Sequence, residues 1–247
     1  MSTLSSGTSD QALLQIASNA DVKTIADVIA TMKSIDALLP ENDGLKWFNR
    51  LYLMVTDDVN AKPPGGAWQS PEWLEHLDVV FAGLYFQAVA DYLGGQEMPS
   101  SWSALFEVRF KAGIDRIQFA LSGMNAHINH DLALALLRTD ADLNVVPAPD
   151  GPQHADYESV NQILNSLMPQ VLTMLATDAL GYLAQDTGKI GQILAYWNIC
   201  KARDLAWDFA DHLRNLSGIG HDAALDAQDA ITGALGRAIL TPAEPQA

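Results

Sequence analysis

Cysteine is almost missing from this chain. Cys200 is the sole one in 247 residues, so neither an intramolecular disulfide nor a cysteine-rich metal site can form. Basic residues are scarce as well: 14 Lys and Arg stand against 30 Asp and Glu, a formal net charge of −16. Such a balance opposes general binding to a nucleic-acid backbone and repels anionic membranes. No run reaches the roughly 18 apolar residues that a membrane-spanning helix needs. MSTLSSGTSDQ at the N-terminus has no basic n-region and no apolar h-region of a signal peptide, so cytoplasmic residence is expected. No GxGxxG, GxSxG, HExxH or CxxC occurs, and no GxxxxGK followed by Ser or Thr. Nucleotide-cofactor and serine-hydrolase classes lose their support accordingly. No ExxH pair on two separate helices is present, which opposes a ferritin-like di-iron centre.

What is present is apolar and helical. Hydrophobic residues make up 49% and charged residues 18%, enough for a substantial core. No β-alternation persists, and no internal repeat is found. Val22, Ile25, Ile29, Met32 and Ile35 recur at helical spacing, and Pro40 ends that helix. Leu45, Phe48, Tyr52, Val55 and Val59 mark a second. KPPGGAWQSP is a loop, Ser70-Pro71 reads as a helix N-cap and first turn, and Gly94-Gly95 as a stop. Phe106, Phe110, Ile114, Ile117, Leu121, Met124, Ile128, Leu132 and Ala135 hold one stripe, which predicts a single long helix. Gly113 and Gly123 mark a kink or close helix contacts on it. RTDADLNVVPAPDGPQH is the longest irregular stretch, and residues 139–155 are a candidate lid. Further helices are expected over 156–185, 188–215 and 221–240. The expectation is an all-α, single-domain helical bundle with a long central helix. Its domain covers 21–240, with a flexible N-terminus over 1–20 and a frayed tail over 241–247.

The candidate chemistry lies on the long helix. His127 and Asp131 are four residues apart, so they share one face a turn apart. An imidazole and a carboxylate so placed can share a divalent metal, or act as a base and its orienter. His130 is expected to point outward, with Arg109 and Arg116 on the His127 flank. Asn125 falls nearly within the apolar stripe and, if buried, needs hydrogen-bond partners. His154 and Glu158 repeat the His/carboxylate spacing, beside Asp156, a good N-cap. Asp78 interrupts the apolar face of Leu74, Phe81 and Tyr85, and a carboxylate buried there would need a cation, a metal or donors. Asp57 and Asp58 stand at a helix C-terminus, where acids are disfavoured. Along a later helix, Ile193, Trp197, Cys200, Asp204 and Trp207 share a stripe. Arg203 beside Asp204 reads as a buried anchor or a holder of substrate anion. Alternatively, the apolar face there moves to Leu205, Phe209 and Leu213.

WFNRLYLMVT (47–56), LDVVFAGLYF (77–86), GMNAHINHDLALAL (123–136), DYESVN (156–161) and WNICKARDLAWDFADHL (197–213) together resemble an uncharacterised bacterial and fungal domain-of-unknown-function family with a HIN-x-DL motif. The likeness spans nearly the whole chain after residue 20 and brings no established activity. It directs attention to Arg50, Asp78, Asn125, His127, Asn129, Asp131, Asp156, Asn161, Arg203 and Trp207. A second likeness is to the zinc-dependent phospholipase C and P1-nuclease group, also all-α. Its HxxxD and HxxxE motifs match His127 with Asp131 and His154 with Glu158, with an upstream acid and histidine near Asp58 and His76. That group's N-terminal tryptophan and early histidine ligand have no counterpart here.

The leading functional expectation is a small-molecule metabolic enzyme of cyclase, lyase or isomerase type. His127 with Asp131 serves as acid–base pair, and Asn125 or Arg203 holds developing negative charge. Trp47, Arg50, Phe86, Asn129, Trp197 and Trp207 shape a substrate cavity. The alternative is a metal-dependent hydrolase, in which His127, Asp131, Asp78, His154, Asp156 and Glu158 supply ligands to a divalent ion such as zinc. A non-catalytic ligand-binding or scaffold protein is the third reading.

Overall fold

Thr24 starts its helix by a reciprocal cap: its hydroxyl accepts from Asp27 N at 3.2 Å, and the Asp27 carboxylate accepts from Thr24 N at 3.0 Å. This capping box satisfies donors that a first helical turn otherwise leaves orphaned. The structure, a computed structural model, describes residues 3–61, 67–176 and 198–242. Among these there are helices and connecting turns and no strand. In chain order they are α1 (Thr3–Ser18), α2 (Ile25–Leu38), α3 (Gly44–Ala61), α4 (Pro71–Gly94), α5 (Ser100–Phe106), α6 (Arg116–Ala126), a π-helical turn (His127–Asp131), α7 (Leu132–Asp142), α8 (Pro152–Ala176), α9 (Ile199–Arg214) and α10 (Ile219–Ile239).

The central rod is α6, the π turn and α7, continuous from Arg116 to Asp142. Helices α3, α4, α9 and α10 pack around it, and α10 also lies along α5. One core runs through the bundle, from Met32 and Ile35 on α2 to Leu132 and Leu136 on α7. No described helix is long and apolar enough to cross a membrane.

Several sequence expectations need correction. The long helix does not begin at Phe106. Residues 107–115 are turns and open backbone, and Gly113 sits at φ +81°, a conformation that favours glycine. Phe110, expected on the buried stripe, is 48% exposed. Arg109 therefore lies in a connection, where its guanidinium grips buried Asp43 at 2.6 Å and Asp10 of α1 at 3.0 Å. Residues 3–18, within the segment expected to be a flexible N-terminus, form α1, with Leu13 and Ala17 buried in the core. The candidate lid 139–155 shrinks to a short connection, since residues 139–142 belong to α7 and 152–155 to α8.

Other boundaries hold. Ser70 precedes α4 with Pro71 at its first position, and Gly95 closes it at φ +67°. Ser70 makes no side-chain cap, however. Asp156 of α8 instead holds the backbone that leads into the helix, accepting from Gln69 N at 2.9 Å and Ser70 N at 2.6 Å. Pro169 lies inside α8 without ending it. The expected helices over 156–185 and 188–215 extend outside the described residues, as do Ile193, Trp197 and tail residues 243–247.

Candidate active site

Leu132 N donates to His127 O, five residues back. The helix thus widens by one residue for a single turn, a device frequent at functional sites. This turn carries His127, His130 and Asp131 together. His127 Nδ1 lies 3.0 Å from Asp131 Oδ2, and His130 Nδ1 lies 2.8 Å from Asp131 Oδ1. His130, expected to point outward, is buried and bound to the same carboxylate. A third donor comes from α5, where Trp102 Nε1–H reaches Asp131 Oδ2 at 2.9 Å.

Protonation follows from this geometry. Burial pushes the Asp131 pKa up, but the hydrogen bonds from His127 and His130 outweigh it and the net direction is down. Asp131 is therefore an anion that only accepts, so both facing Nδ1 atoms carry hydrogen. Burial lowers His127 more than Asp131 raises it, so this imidazole is neutral. For His130 burial also lowers the pKa, yet Asp131 and then Asp229 outweigh it and the net direction is up. The Nε2 atom of His127 is left as a bare lone pair, buried and without a hydrogen-bond partner.

An aromatic cage surrounds the imidazole. Phe81 of α4 stacks flat on the imidazole, centroids 3.5 Å apart and planes within 5°. Tyr52 of α3 meets it at 4.6 Å and Phe48 at 5.6 Å, with Trp102 and Tyr85 further out. Gly123 permits the close crossing of α3 and α6, since a Cβ there would stand 2.4 Å from Phe48 Cγ.

Beyond Phe81 and Tyr52 lies a recess of about 40 Å³, walled also by Thr56, Asp78, Leu132 and Arg203. Asp78 is partly buried as a residue, yet its Oδ2 is sealed from solvent and has no partner. Burial raises its pKa to about 7 against the opposing pull of Arg203. Arg203 is itself buried and fixed, donating to Asn161 Oδ1 at 2.9 Å and Tyr157 O at 2.8 Å. Its expected partner Asp204 is exposed, as is Leu205. Val55 divides the recess from a larger apolar chamber of about 290 Å³, lined by residues such as Leu51, Leu121, Leu164 and Ile199.

The remaining candidates lie elsewhere. Asn125 is fully buried and satisfied: it donates to Thr232 O of α10 at 2.9 Å and accepts from Asn129 at 2.9 Å. The pair ties the rod to α10. Trp47 is buried with Arg116 and Arg50 against its ring, and Arg50 also pairs with Asp36 and Glu41. Phe86 is core, and Trp207 packs on Trp73, His154 and Tyr157. Neither Trp47, Phe86 nor Trp207 lines the recess or the chamber. His154 and Glu158 form a part-exposed pair 3.9 Å apart, and Asp156 is engaged by the backbone before α4. Asp57 faces Lys33, and His76 faces Asp142. The ligand set expected for zinc is thus not brought together, and among the described residues no group of three or more His, Cys, Asp and Glu could hold a metal ion. Cys200 sits part-buried at the start of α9, its thiol pKa raised by burial.

Trp102, Tyr52, Phe81, His130 and Asp229 went unmarked as site residues in the sequence. Four of them carried no signal beyond helical periodicity or a generic surface acid.

The chain belongs to a family of unknown function, DUF5995, whose model matches residues 25–242. No curated protein and no solved structure matches it. The likeness to the phospholipase C and P1-nuclease group gains no support from these comparisons.

Proposed function

We propose that the chain is a cytoplasmic small-molecule enzyme of acid–base type, with His127 as the base and Asp131 as its orienter. The observation that carries this reading is the bare, buried Nε2 of an imidazole whose Nδ1–H is held at 3.0 Å by a carboxylate. Fixing one ring nitrogen as donor makes the other the proton acceptor. A neutral imidazole offers the lone pair a base needs, and loss of water around it keeps it neutral at rest.

Asp78, which walls the recess with Phe81, supports the same reading. A carboxyl group with a pKa of about 7 can give or take a proton at neutral pH. The adjoining chamber is close to the lower size of small-molecule sites and is lined by aliphatic side chains. A substrate with an apolar body and a small polar head fits this pair of spaces, with the head beside Asp78 and Arg203. His127 does not line the recess, so contact between that head and Nε2 requires movement of the Phe81 ring stacked on the imidazole.

Incubation with a protein-free cell extract, followed by mass spectrometry, tests the proposal. At least one small molecule is expected to be consumed by the native chain, and about a hundredfold more slowly by His127→Gln. No consumption, or equal consumption by the folded variant, contradicts it. Binding of an extract component without turnover assigns the chambers to ligand storage instead.

A further inference from the structure

We infer that His127, Asp131, His130 and Asp229 form a proton path joining the buried imidazole to solvent at α10. This rests on His127 being the base proposed above, because a sealed base that accepts protons needs a route for exchanging them.

Imidazole and carboxylate alternate along the path. His127 Nδ1 is 3.0 Å from Asp131 Oδ2, Asp131 Oδ1 is 2.8 Å from His130 Nδ1, and His130 Nε2 is 3.8 Å from Asp229 Oδ1. Side-chain exposure rises at each station, from 0% at His127 to 4%, 10% and 22% at Asp229. The outer end is held in place. Asp229 accepts from Ser100 N at 2.7 Å and Ser101 N at 2.9 Å. Gln228, its neighbour, donates to Asn129 O of the π turn at 2.7 Å. Helix α10 is therefore pinned to the turn that carries both histidines. The π turn holds both imidazoles and the carboxylate they share.

The proton count closes. The path runs from the state in which Asp131 is ionised, His127 carries hydrogen on Nδ1, and His130 carries it on both nitrogens. When His127 Nε2 takes a proton from a substrate, its Nδ1–H passes to Asp131 Oδ2. His130 then releases its Nε2–H to solvent water beside Asp229, whose carboxylate at 3.8 Å is too far for a direct hydrogen bond. One proton enters, one leaves, and all three inner groups end neutral. The reverse sequence restores the starting state and returns a proton to the substrate. The other ionisable groups facing this path are Tyr52 of α3 and Tyr85 of α4, whose phenols burial pushes well above their ordinary value. Asp78 of α4 and Arg203 of α9 lie beyond Phe81, in the recess.

The test reads exchange of the His127 Nδ1–H with water, by nitrogen-15-resolved NMR, in the intact chain and in His130→Gln and Asp229→Asn. Loss of the path slows exchange by about a hundredfold, the usual scale for a positioned proton carrier. Loosening of the fold acts in the opposite direction, since local opening speeds exchange. Slowing in either folded variant supports the path, and unchanged or faster exchange in both overturns it. Extract turnover that survives such a failure leaves His127 as the base and removes only the path. Slowed exchange without any turnover keeps the path and removes the enzyme reading.

Discussion

Loss of water pushes Asp78 and His127 in opposite directions, and Phe81, which walls the recess with Asp78, stacks on the His127 ring. The carboxyl is raised to about 7 and the imidazole is lowered, so each favours its neutral form. Opposed shifts of this kind are how one site keeps an acid and a base together near pH 7. They also predict how stability varies with pH. A carboxyl raised from 3.8 to about 7 binds its proton in the folded chain after the unfolded chain has lost it. Stability is therefore lost as pH rises from about 4 to 7 and is level above that. Asp78→Asn is expected to remove this slope. The variant should gain about 2–4 kcal/mol over the native chain at pH 8 and nothing at pH 3, measured by urea denaturation. The histidines have their own windows. The lowered pKa of His127 removes stability as pH falls below 6.5, whereas the raised pKa of His130 contributes stability below 6.5 that is lost as pH rises through its folded value. Their windows lie on opposite sides of 6.5, so only His127 opposes the Asp78 slope between pH 4 and 7, and the difference between the native chain and Asp78→Asn isolates that slope.

At the scale of elements, the π turn and the crossing of α3 with α6 decide the geometry. A methyl at position 123 would press into the Phe48 ring, which itself borders His127. Gly123→Ala is expected to cost about 1–3 kcal/mol in denaturant unfolding and to shift the His127 ring resonances, because overpacking moves the neighbouring side chains. Gly123 was legible in the sequence as a point of close helix contact, and so were α2, α3, the start and stop of α4, and the all-α class. Each of these was carried by local signals: apolar spacing, Pro71, Gly95. The break over 107–115 was not legible, because Phe110 and Ile114 continue the helical spacing across a segment that is not helical. The π turn was hidden for a related reason. One extra residue in a turn leaves composition unchanged but rotates all that follows, so α-helical spacing placed His130 outside. The hold of Asp156 on the backbone before α4 joins residues far apart in the chain, and nothing local to either marks it.

For the whole molecule, the return of α10 completes the site. It brings Asp229 to His130, Thr232 O to Asn125, and Ile239 O and Thr241 O to the Gln118 side chain. The His127–Asp131 pair could be read from i, i+4 spacing alone, whereas its cage, its third donor Trp102 and its outer partner Asp229 are products of tertiary packing. The acidic excess acts at this scale too. A net charge of −16 repels itself within a compact chain, so adding salt is expected to raise the thermal midpoint until the charges are screened, at roughly 0.1–0.2 M. The central claim remains a local one: the fold holds a neutral His127 with hydrogen on Nδ1 and a free lone pair on Nε2. Nitrogen-15 NMR of the imidazole ring at pH 7 measures that directly. The account predicts a protonated Nδ1 and an unprotonated Nε2 for His127; a hydrogen on Nε2, alone or together with Nδ1, would contradict it.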